Sequence, residues 1–375
     1  MKPNIKKAMI VAVMTGIAIV PVFAFAAPRQ QFTYGAWLPF WNRSAAINEF
    51  TDHMTAFKEI SPFAYEVQKN GTLKDLIKLE DGPANGWIVA IRDAGIKVLP
   101  TVNWSSKSQI HTTLSNKKLR AAHIRRIVAL AMTAPNSGVD INYENKKAET
   151  KTAFSTFLRE LATALHKKKK ILACSIEART PLASRFVTVP DDMAYANDHA
   201  RIGKYCDEVR IMAYDQGNDD ILLSKAKNGT TTPYTPTADA DWVDKVIGEA
   251  TKAIPAKKIV LGIPTYGVIS RPTTTVGLLS YEKLRSISYV DAMTLARQVG
   301  ATPQRNSAGE LGFIYTATSS ESVSTSTPSL VRIVSFTDAE AIKQKIALAK
   351  KRKLKGVMLF KLDGNTDPQL WETLK

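Results

Sequence analysis

The stretch Ser137-Gly-Val-Asp-Ile-Asn-Tyr-Glu144 decides the fold of this chain. Its polar and apolar residues alternate, which predicts a β-strand, because successive side chains of a strand point to opposite faces. One face carries Asp140, Asn142 and Glu144, and the other face is apolar. Buried charge without a partner is costly, so such a strand is expected at the mouth of a barrel, where polar side chains can enter a site.

Seven further apolar runs have the length and composition of strands, and stretches with helical periodicity separate several of them. Such alternation favours parallel βα units. Eight units predict an α/β fold, the (β/α)₈ TIM barrel. The predicted strands are 34–38, 60–65, 97–102, 138–144, 171–176, 208–214, 259–263 and 356–360.

The interval between the seventh and eighth predicted strands is too long for a simple crossover. A small α+β insertion is expected there, at about 268–336. Within it, the pattern predicts a helix at 289–299 and strands at 312–317 and 331–336. A Ser/Thr-rich segment at 316–329 is expected to be a loop or a hairpin tip.

Residues 1–26 have the pattern of a secretory signal peptide. Three lysines precede an apolar run that ends at Pro21, and Ala24-Phe25-Ala26 supplies small residues at the cleavage position. Cleavage before Ala27 would leave the barrel in 27–375, with no membrane span. The mature protein would then be secreted to the extracellular space or the cell envelope. The alternative is an uncleaved membrane anchor, for which the apolar run is short.

The chain is strongly basic. Its formal net charge is +17, and removal of the first 26 residues takes away three lysines and no acids, which leaves +14. Lysine clusters at 167–170 and 350–355 are typical of solvated helix ends, or of attraction to an acidic wall polymer. No nucleic-acid motif accompanies them, so nucleic acid is not expected as a partner.

The chain has two cysteines, Cys174 and Cys206, on consecutive predicted strands. A single bridge is one alternative, but two free, mostly buried thiols are favoured here. The histidines and cysteines are not spaced as metal ligands, so neither a metal nor another cofactor is predicted.

The run that ends in Glu144 resembles the Asp-x-x-Asp-x-Asp-x-Glu signature of glycoside hydrolase family 18, the chitinase family. Other motifs follow in the family's order and cover nearly all of 34–375. The inserted segment is similar to that of the bacterial spore-cortex and cell-wall N-acetylglucosaminidase subgroup. The further matching motifs are Met212-Ala213-Tyr214-Asp215, Leu261-Gly-Ile-Pro-Thr-Tyr-Gly267, and 335–340 followed by 356–360.

The resemblance implies a substrate-assisted, retaining mechanism, in which the 2-acetamido oxygen of the sugar attacks the anomeric carbon. Glu144 is then the general acid, which later activates water. Burial and the neighbouring Asp140 are expected to raise its pKa. Asn142 stands where the family has an acid that orients the acetamido N–H, and Asp140 could take over part of that role. Tyr214 is expected to hydrogen-bond the acetamido oxygen.

The remaining site residues are predicted to contact substrate. Phe360 stands where the family usually has a Trp beneath the sugar. Trp37 and Trp104 could line a sugar groove or pack the top loops. Glu177 is either a second acidic group or a salt-bridge partner of Arg179. The predicted substrate-binding residues are Asp215, Met212, Phe360, Tyr266, Trp37, Trp104 and Glu177.

These residues predict an exported, monomeric glycosidase whose partner is an N-acetylated polysaccharide. It would cleave β-1,4 bonds next to N-acetylglucosamine in peptidoglycan or chitin. The neutral Asn142 removes a compensating charge worth ~3 kcal/mol, or roughly a hundredfold in rate, which weakens the expected activity. The alternatives are a catalytically weakened chitinase-like carbohydrate-binding protein, and an interaction or inhibitor protein that uses the barrel as a scaffold.

Overall fold

The computed structural model describes residues 31–78, 83–133, 136–227, 233–275, 278–317 and 330–374. The predicted signal peptide therefore lies outside the described residues, as does most of the predicted loop at 316–329. Within these ranges, every helix is too short or too polar to serve as a membrane span.

Strands and helices alternate through most of the described chain, as parallel βα units require. The strands are β1 (Thr33–Pro39), β2 (Glu59–Phe63), β3 (Tyr65–Val67), β4 (Leu73–Asp75), β5 (Lys97–Val98), β6 (Thr101–Trp104), β7 (Gly138–Tyr143), β8 (Ile171–Glu177), β9 (Glu208–Met212), β10 (Ile259–Pro264), β11 (Tyr266–Thr275), β12 (Leu278–Ser288), β13 (Gln304–Arg305), β14 (Leu311–Thr316), β15 (Val331–Phe336) and β16 (Gly356–Phe360). The α-helices are α1 (Arg43–Asp52), α2 (Pro83–Asp93), α3 (Lys107–Ser115), α4 (Lys117–Met132), α5 (Lys151–His166), α6 (Leu182–Arg185), α7 (His199–Tyr205), α8 (Ile221–Lys227), α9 (Ala240–Thr251), α10 (Tyr289–Gln298), α11 (Ala339–Lys351) and α12 (Leu370–Thr373).

The larger sheet closes into a barrel, which confirms the predicted fold class. Its order is β4-β3-β6-β7-β8-β9-β10-β16-β1-β2-β5, and all neighbours except β3 and β4 are parallel. Ala64 alone separates β2 from β3, and Leu99 with Pro100 separates β5 from β6. β2 and β3 are thus two parts of one barrel strand, and β5 and β6 are two parts of the next. Because β2 pairs with β5 and β3 pairs with β6, these two strands join the two ends of the sheet. The ring therefore contains eight parallel strands.

Three predicted strands differ from the observed ones. The prediction at 60–65 is interrupted at Ala64, and that at 97–102 is interrupted at Leu99 and Pro100. Proline has no N–H to donate to a neighbouring strand, which favours the second break. The prediction at 208–214 is too long, because β9 ends at Met212. Tyr214 and Asp215 consequently lie in the loop that follows the strand.

A second, five-stranded sheet lies between β10 and β16 in the chain. Its order is β12-β11-β15-β14-β13, and all its pairs are antiparallel. This sheet and α10 have their own apolar core, which includes Ile269, Phe313 and Phe336. The long hairpin of β11 and β12 is not among the predicted strands, because Ser, Thr, Lys and Arg residues interrupt the apolar residues of its outer part.

The two faces of β7 have different surroundings. Val139, Ile141 and Tyr143 are buried in the main hydrophobic core, which also contains the apolar face of α5. The Tyr143 hydroxyl hydrogen-bonds the buried His123 ring on α4, and its own ring stacks on Phe157. The apolar face therefore anchors β7 to the helices, and the polar face is directed into the barrel.

Cys174 on β8 and Cys206 form a disulfide, so the prediction of two free thiols is wrong. Cys174 pairs with Val209 of the neighbouring strand β9, and Cys206 lies two residues before that strand begins. The register of the two strands thus brings the Cα atoms within 6.1 Å, inside the range that a disulfide can span. Sequence alone does not establish that register.

Candidate active site

The polar side chains of β7 extend from the barrel interior to its C-terminal mouth. Asp140 is fully buried, Asn142 is 3% exposed, and Glu144, directly after the strand, is half-buried. The Asn142 Nδ2 donates to Glu144 Oε1 at 2.7 Å and to Asn103 Oδ1 at 3.3 Å. The Asn142 Oδ1 has no hydrogen-bond partner among the described residues. A buried acceptor without a partner is uncommon, so this oxygen is suited to accept from a ligand.

Asp140 is fully engaged below Asn142. Its carboxylate accepts from Trp37 Nε1 at 3.1 Å, Thr101 Oγ1 at 3.0 Å and Ser175 Oγ at 2.9 Å. The Arg210 Nη1 lies 3.0 Å from its Oδ2. Its negative charge is therefore already paired, and its expected effects, on the pKa of Glu144 and in place of an acid at position 142, stay predictions.

Arg210 on β9 is a cation shared by three carboxyl groups of the barrel interior. It is fully buried and contacts Glu59 and Glu208 as well as Asp140. Burial alone would lower the pKa of Arg210, but these carboxylates raise it. Burial raises the pKa of Glu59 to about 7, against the opposing influence of Arg210. Burial would also raise the pKa of Glu208, but Arg210 and Lys355 outweigh it and lower that pKa to about 2.

The pKa of the Glu144 carboxyl group lies above its usual value. Burial raises its pKa, and the nearby Glu177 and Asp215 raise it further. The hydrogen bond from Asn142 and the charge of Lys146 act in the opposite direction. The hydrogen bonds and ion pairs of the described residues connect no arginine to Glu144, so no salt bridge to an arginine holds this carboxyl group in its ionised form.

Aromatic rings form the floor of the barrel mouth. The rings of Phe360 and Tyr214 stack with centroids 5.1 Å apart and planes at 9°. Tyr266 and Trp37 meet Phe360 edge-on, at 6.1 Å and 5.9 Å. Such a floor offers a flat apolar surface of the kind on which a sugar ring can rest.

The Tyr214 hydroxyl is a permanent hydrogen-bond donor. Burial raises its pKa well above the usual value, and the carboxylates of Glu144 and Asp215 add to the effect. Gly262 on β10 makes room for this ring, since a Cβ at that position would lie 3.0 Å from Tyr214 Cε1 and 2.7 Å from a backbone oxygen.

Asp215 links the barrel mouth to the second sheet. Its backbone has a φ of +56°, a left-handed conformation that Asp tolerates better than most residues. Lys283 Nζ on β12 lies 2.7 Å from Asp215 Oδ1. The Asn218 amide also donates to the backbone oxygen of Tyr281 at 3.0 Å. The β11–β12 hairpin consequently forms one wall beside the aromatic floor.

The two predicted tryptophans lie away from the surface of the mouth. Trp37 is 2% exposed and lies beneath Phe360, with its indole N–H bonded to Asp140. Trp104 is 3% exposed and packs against His123 and Tyr143 in the core outside the barrel. Trp37 can thus support the floor, whereas the Trp104 ring is not available to a ligand there.

Glu177 ends β8 at the rim beside Glu144. Its carboxylate accepts from the Asn197 Nδ2 at 2.6 Å and from the Asn145 backbone N–H at 3.1 Å. Lys146 Nζ is 3.5 Å away. Lys146, and not the predicted Arg179, is thus the cation paired with Glu177. Arg179 donates instead to the backbone oxygen of Asn197.

Sequence reasoning did not identify Arg210, Lys146 or Asn103 as part of the site. Arg210 has a signal in the sequence, because it lies between Glu208 and Met212 on one face of a strand that should be buried. Lys146 and Asn103 carry no such pattern. Their positions depend on the loop after β7 and on the register of β6 with β7, which pairs Asn103 with Asn142.

The arrangement can donate one proton next to an apolar floor. Glu144 is the donor, Asn142 Oδ1 is a free acceptor, and the Tyr214 hydroxyl is a second donor. The described residues contain no group of three or more His, Cys, Asp or Glu side chains placed to hold a metal ion. The chemistry that these side chains support is acid–base catalysis on a ligand with a ring and an amide.

Comparisons with known proteins agree with the fold of the chain. The model of the family described as glycosyl hydrolases family 18 matches residues 39–365. A Bacillus subtilis relative, the uncharacterised glycosylase YvbX, is 24% identical over 99% of this chain and 98% of that protein. Two solved structures share the fold. A chitinase from Chromobacterium violaceum has a TM-score of 0.72 and 20% identity, and covers 92% of this chain and 98% of that chain. The spore cortex-lytic enzyme SleL of Bacillus megaterium has a TM-score of 0.70 and 21% identity, and covers 93% and 74%.

We predict that Glu177→Gln lowers the pKa of Glu144, because it removes a negative charge that disfavours ionisation nearby. The measurement is an NMR titration of protein labelled with ¹³C at the glutamate carboxyl carbons, with the Glu144 signal assigned from its loss in Glu144→Gln. Glu160→Gln, on α5 and paired with Arg120, is the matched control and should leave that pKa unchanged. An unchanged or higher Glu144 pKa in Glu177→Gln would contradict this electrostatic account.

Proposed function

We propose, since this chain belongs to glycosyl hydrolases family 18, that it is an exported glycosidase acting on an N-acetylated polysaccharide. It would cleave β-1,4 bonds next to N-acetylglucosamine in peptidoglycan or chitin. The observation that carries the proposal is the Glu144 carboxyl, with its raised pKa, in contact with the Asn142 amide at the mouth of the barrel.

The proposed reaction needs one protein carboxyl group. The 2-acetamido oxygen of the sugar forms a bond to the anomeric carbon as the bond to the leaving oxygen breaks. Glu144 gives its proton to that oxygen, which leaves a carboxylate and a cyclic oxazolinium ion. Water then attacks the anomeric carbon, Glu144 takes a proton from it, and the acetamido group is released. Configuration at the anomeric carbon is retained after two inversions.

Asn142 and Tyr214 would orient the acetamido group. The Asn142 Nδ2 is committed to Glu144, and its unpartnered Oδ1 can accept the acetamido N–H. The Tyr214 hydroxyl, protonated at neutral pH, can donate to the acetamido oxygen. Neither side chain supplies a negative charge to the oxazolinium ion, so we expect a slower enzyme than one with an acid at position 142.

The other predicted residues would bind the sugar around this centre. Phe360 supplies the floor, supported from below by Trp37 and from the side by Tyr266. Asp215, held by Lys283, and the half-buried Met212 lie at the edge. Glu177 would raise the pKa of Glu144 from the rim, and the buried Trp104 would not contact the sugar.

Two observations favour an exported wall enzyme. The Cys174–Cys206 disulfide is of a kind that persists mainly in oxidising compartments outside the cytosol. The strongly basic charge suits an acidic envelope polymer. The SleL structure carries the name of a spore cortex-lytic enzyme, and we extend that substrate class to this chain as part of the proposal.

A second candidate function is carbohydrate binding without turnover. The neutral amide at position 142 and the smaller ring of Phe360 favour it. The two functions share a binding site and differ only in whether the Glu144 proton is used. They are therefore distinguished by turnover measured beside binding.

We predict that Glu144→Gln lowers kcat by roughly a hundred- to ten-thousandfold, while the Kd for chito-oligomers changes little. Glutamine keeps the shape of the side chain but has no transferable acidic proton. Release of reducing ends from chito-oligomers and peptidoglycan measures turnover, and calorimetry measures binding. Glu160→Gln, outside the barrel, should keep the full rate. Binding by the wild type without any product would assign the carbohydrate-binding function instead.

We predict that Asn142→Asp raises kcat by up to about a hundredfold, because a carboxylate there stabilises the oxazolinium charge. A carboxyl group in contact with Glu144 also disfavours its ionisation, so the alkaline limb of the kcat/KM profile should move to higher pH. Asn116→Asp, at the N-cap of α4, is the matched control and should change neither. An unchanged rate and profile in Asn142→Asp would show that residue 142 does not face the reacting centre.

A further inference from the structure

A polar cleft lies beside Glu144, between the loops that follow β7 and β8. Its volume is about 320 Å³. A second, more open hollow of about 580 Å³ adjoins it at Asn145 and Lys146. Among the residues that line the two, five side chains are cationic and two are carboxylates, so their charge is positive. The cations are Lys107, Lys146, Lys147, Arg179 and Arg185, and the carboxylates are Glu177 and Asp219.

Two polar atoms of the cleft wall have no hydrogen-bond partner among the described residues. They are the hydroxyl of Tyr195 and the Oδ1 of Asn197, and both are buried. Buried polar atoms are nearly always satisfied, and each exception needs an explanation. A ligand that accepts from Tyr195 and donates to Asn197 would satisfy both atoms.

The two arginines of the cleft have donors to spare. The Arg179 guanidinium lies 3.8 Å from the centre of the Tyr195 ring and donates through Nη2 to the Asn197 backbone oxygen. The Arg185 Nη2 lies 3.4 Å from the Asp219 carboxylate. A guanidinium carries five N–H donors arranged to bind a carboxylate at two points. Lys146 is different, because it is buried and already faces Glu177 and a backbone oxygen.

We propose that this cleft binds a carboxylate carried by a substituent of the glycan, next to the sugar that Glu144 acts on. Arg179, Arg185 and the Tyr195 hydroxyl would donate to the carboxylate, and Asn197 Oδ1 would accept from a neighbouring amide N–H. The protein therefore prefers acidic N-acetylated glycans to neutral ones of the same length. This inference rests on the proposed function and specifies its substrate class as peptidoglycan-like rather than chitin-like.

The carboxylate could belong to the lactyl group of the glycan or to a peptide attached to it. The test therefore uses three ligands of matched length: a neutral chito-oligomer, a glycan with free lactyl groups, and a glycan that keeps its stem peptides. Binding is measured by calorimetry in the Glu144→Gln background, where no ligand is consumed.

Arg185→Gln is the test variant, because Arg179 also holds the backbone at Asn197 and its loss could disturb the loop. We expect the ratio of acidic to neutral affinity to fall about tenfold, the effect of one lost charged hydrogen bond. Arg125→Gln, exposed on α4, is the matched control and should keep the ratio. A fall with the lactyl glycan assigns the lactyl carboxylate, and a fall only with the peptide-bearing glycan assigns the peptide.

Equal affinity for acidic and neutral glycans before substitution would overturn the inference, as would an unchanged ratio in Arg185→Gln. The proposed function fails separately. If the wild-type protein prefers acidic glycans but releases no product, the carboxylate-binding cleft is supported and the glycosidase activity is contradicted. If it cleaves chito-oligomers but has no preference for acidic glycans, the glycosidase activity is supported and the carboxylate-binding cleft is contradicted.

Discussion

The buried pair of Arg210 and Asp140 is the interaction on which the barrel interior depends. It connects β9 with β7 across the barrel, and Glu59 on β2 joins it from a third strand. Removal of one partner from such a pair typically costs ~3–5 kcal/mol, because the other charge stays buried and unpaired. Asp140 is thereby held at the base of the polar stripe, with its charge paired inside the barrel and away from Glu144 at the top.

The two polar atoms of the Asn142 side chain differ in whether the protein supplies a hydrogen-bond partner. Its Nδ2 contacts Glu144, and its Oδ1 has no partner in the described part of the chain. In the proposed reaction, this difference lets a neutral residue orient the acetamido group. It also explains the expected weakness of catalysis, because orientation is kept and charge compensation is lost. The site that we propose is thus one of geometry more than of electrostatic stabilisation.

The barrel could be predicted from sequence because alternation in 137–144 and the apolar runs are local patterns. The positions of Asp140, Asn142 and Glu144 on one face follow from the same local rule. The pairing of Asp140 with Arg210, the disulfide and the burial of Trp104 depend on register and on contacts distant in sequence. Local patterns do not determine these. The β11–β12 hairpin was missed for another reason, since Ser, Thr, Lys and Arg residues interrupt the apolar residues of its outer part.

The central claim is that Glu144, as a single acid, works with the substrate's own acetamido group. The most direct measurement is time-resolved ¹H NMR of a defined β-linked N-acetylglucosamine oligomer as the wild-type protein cleaves it. The account predicts that the new reducing end appears first as the β-anomer and then mutarotates, as retention requires. The α-anomer as the first product would contradict it, because inversion needs a second carboxyl group to activate water.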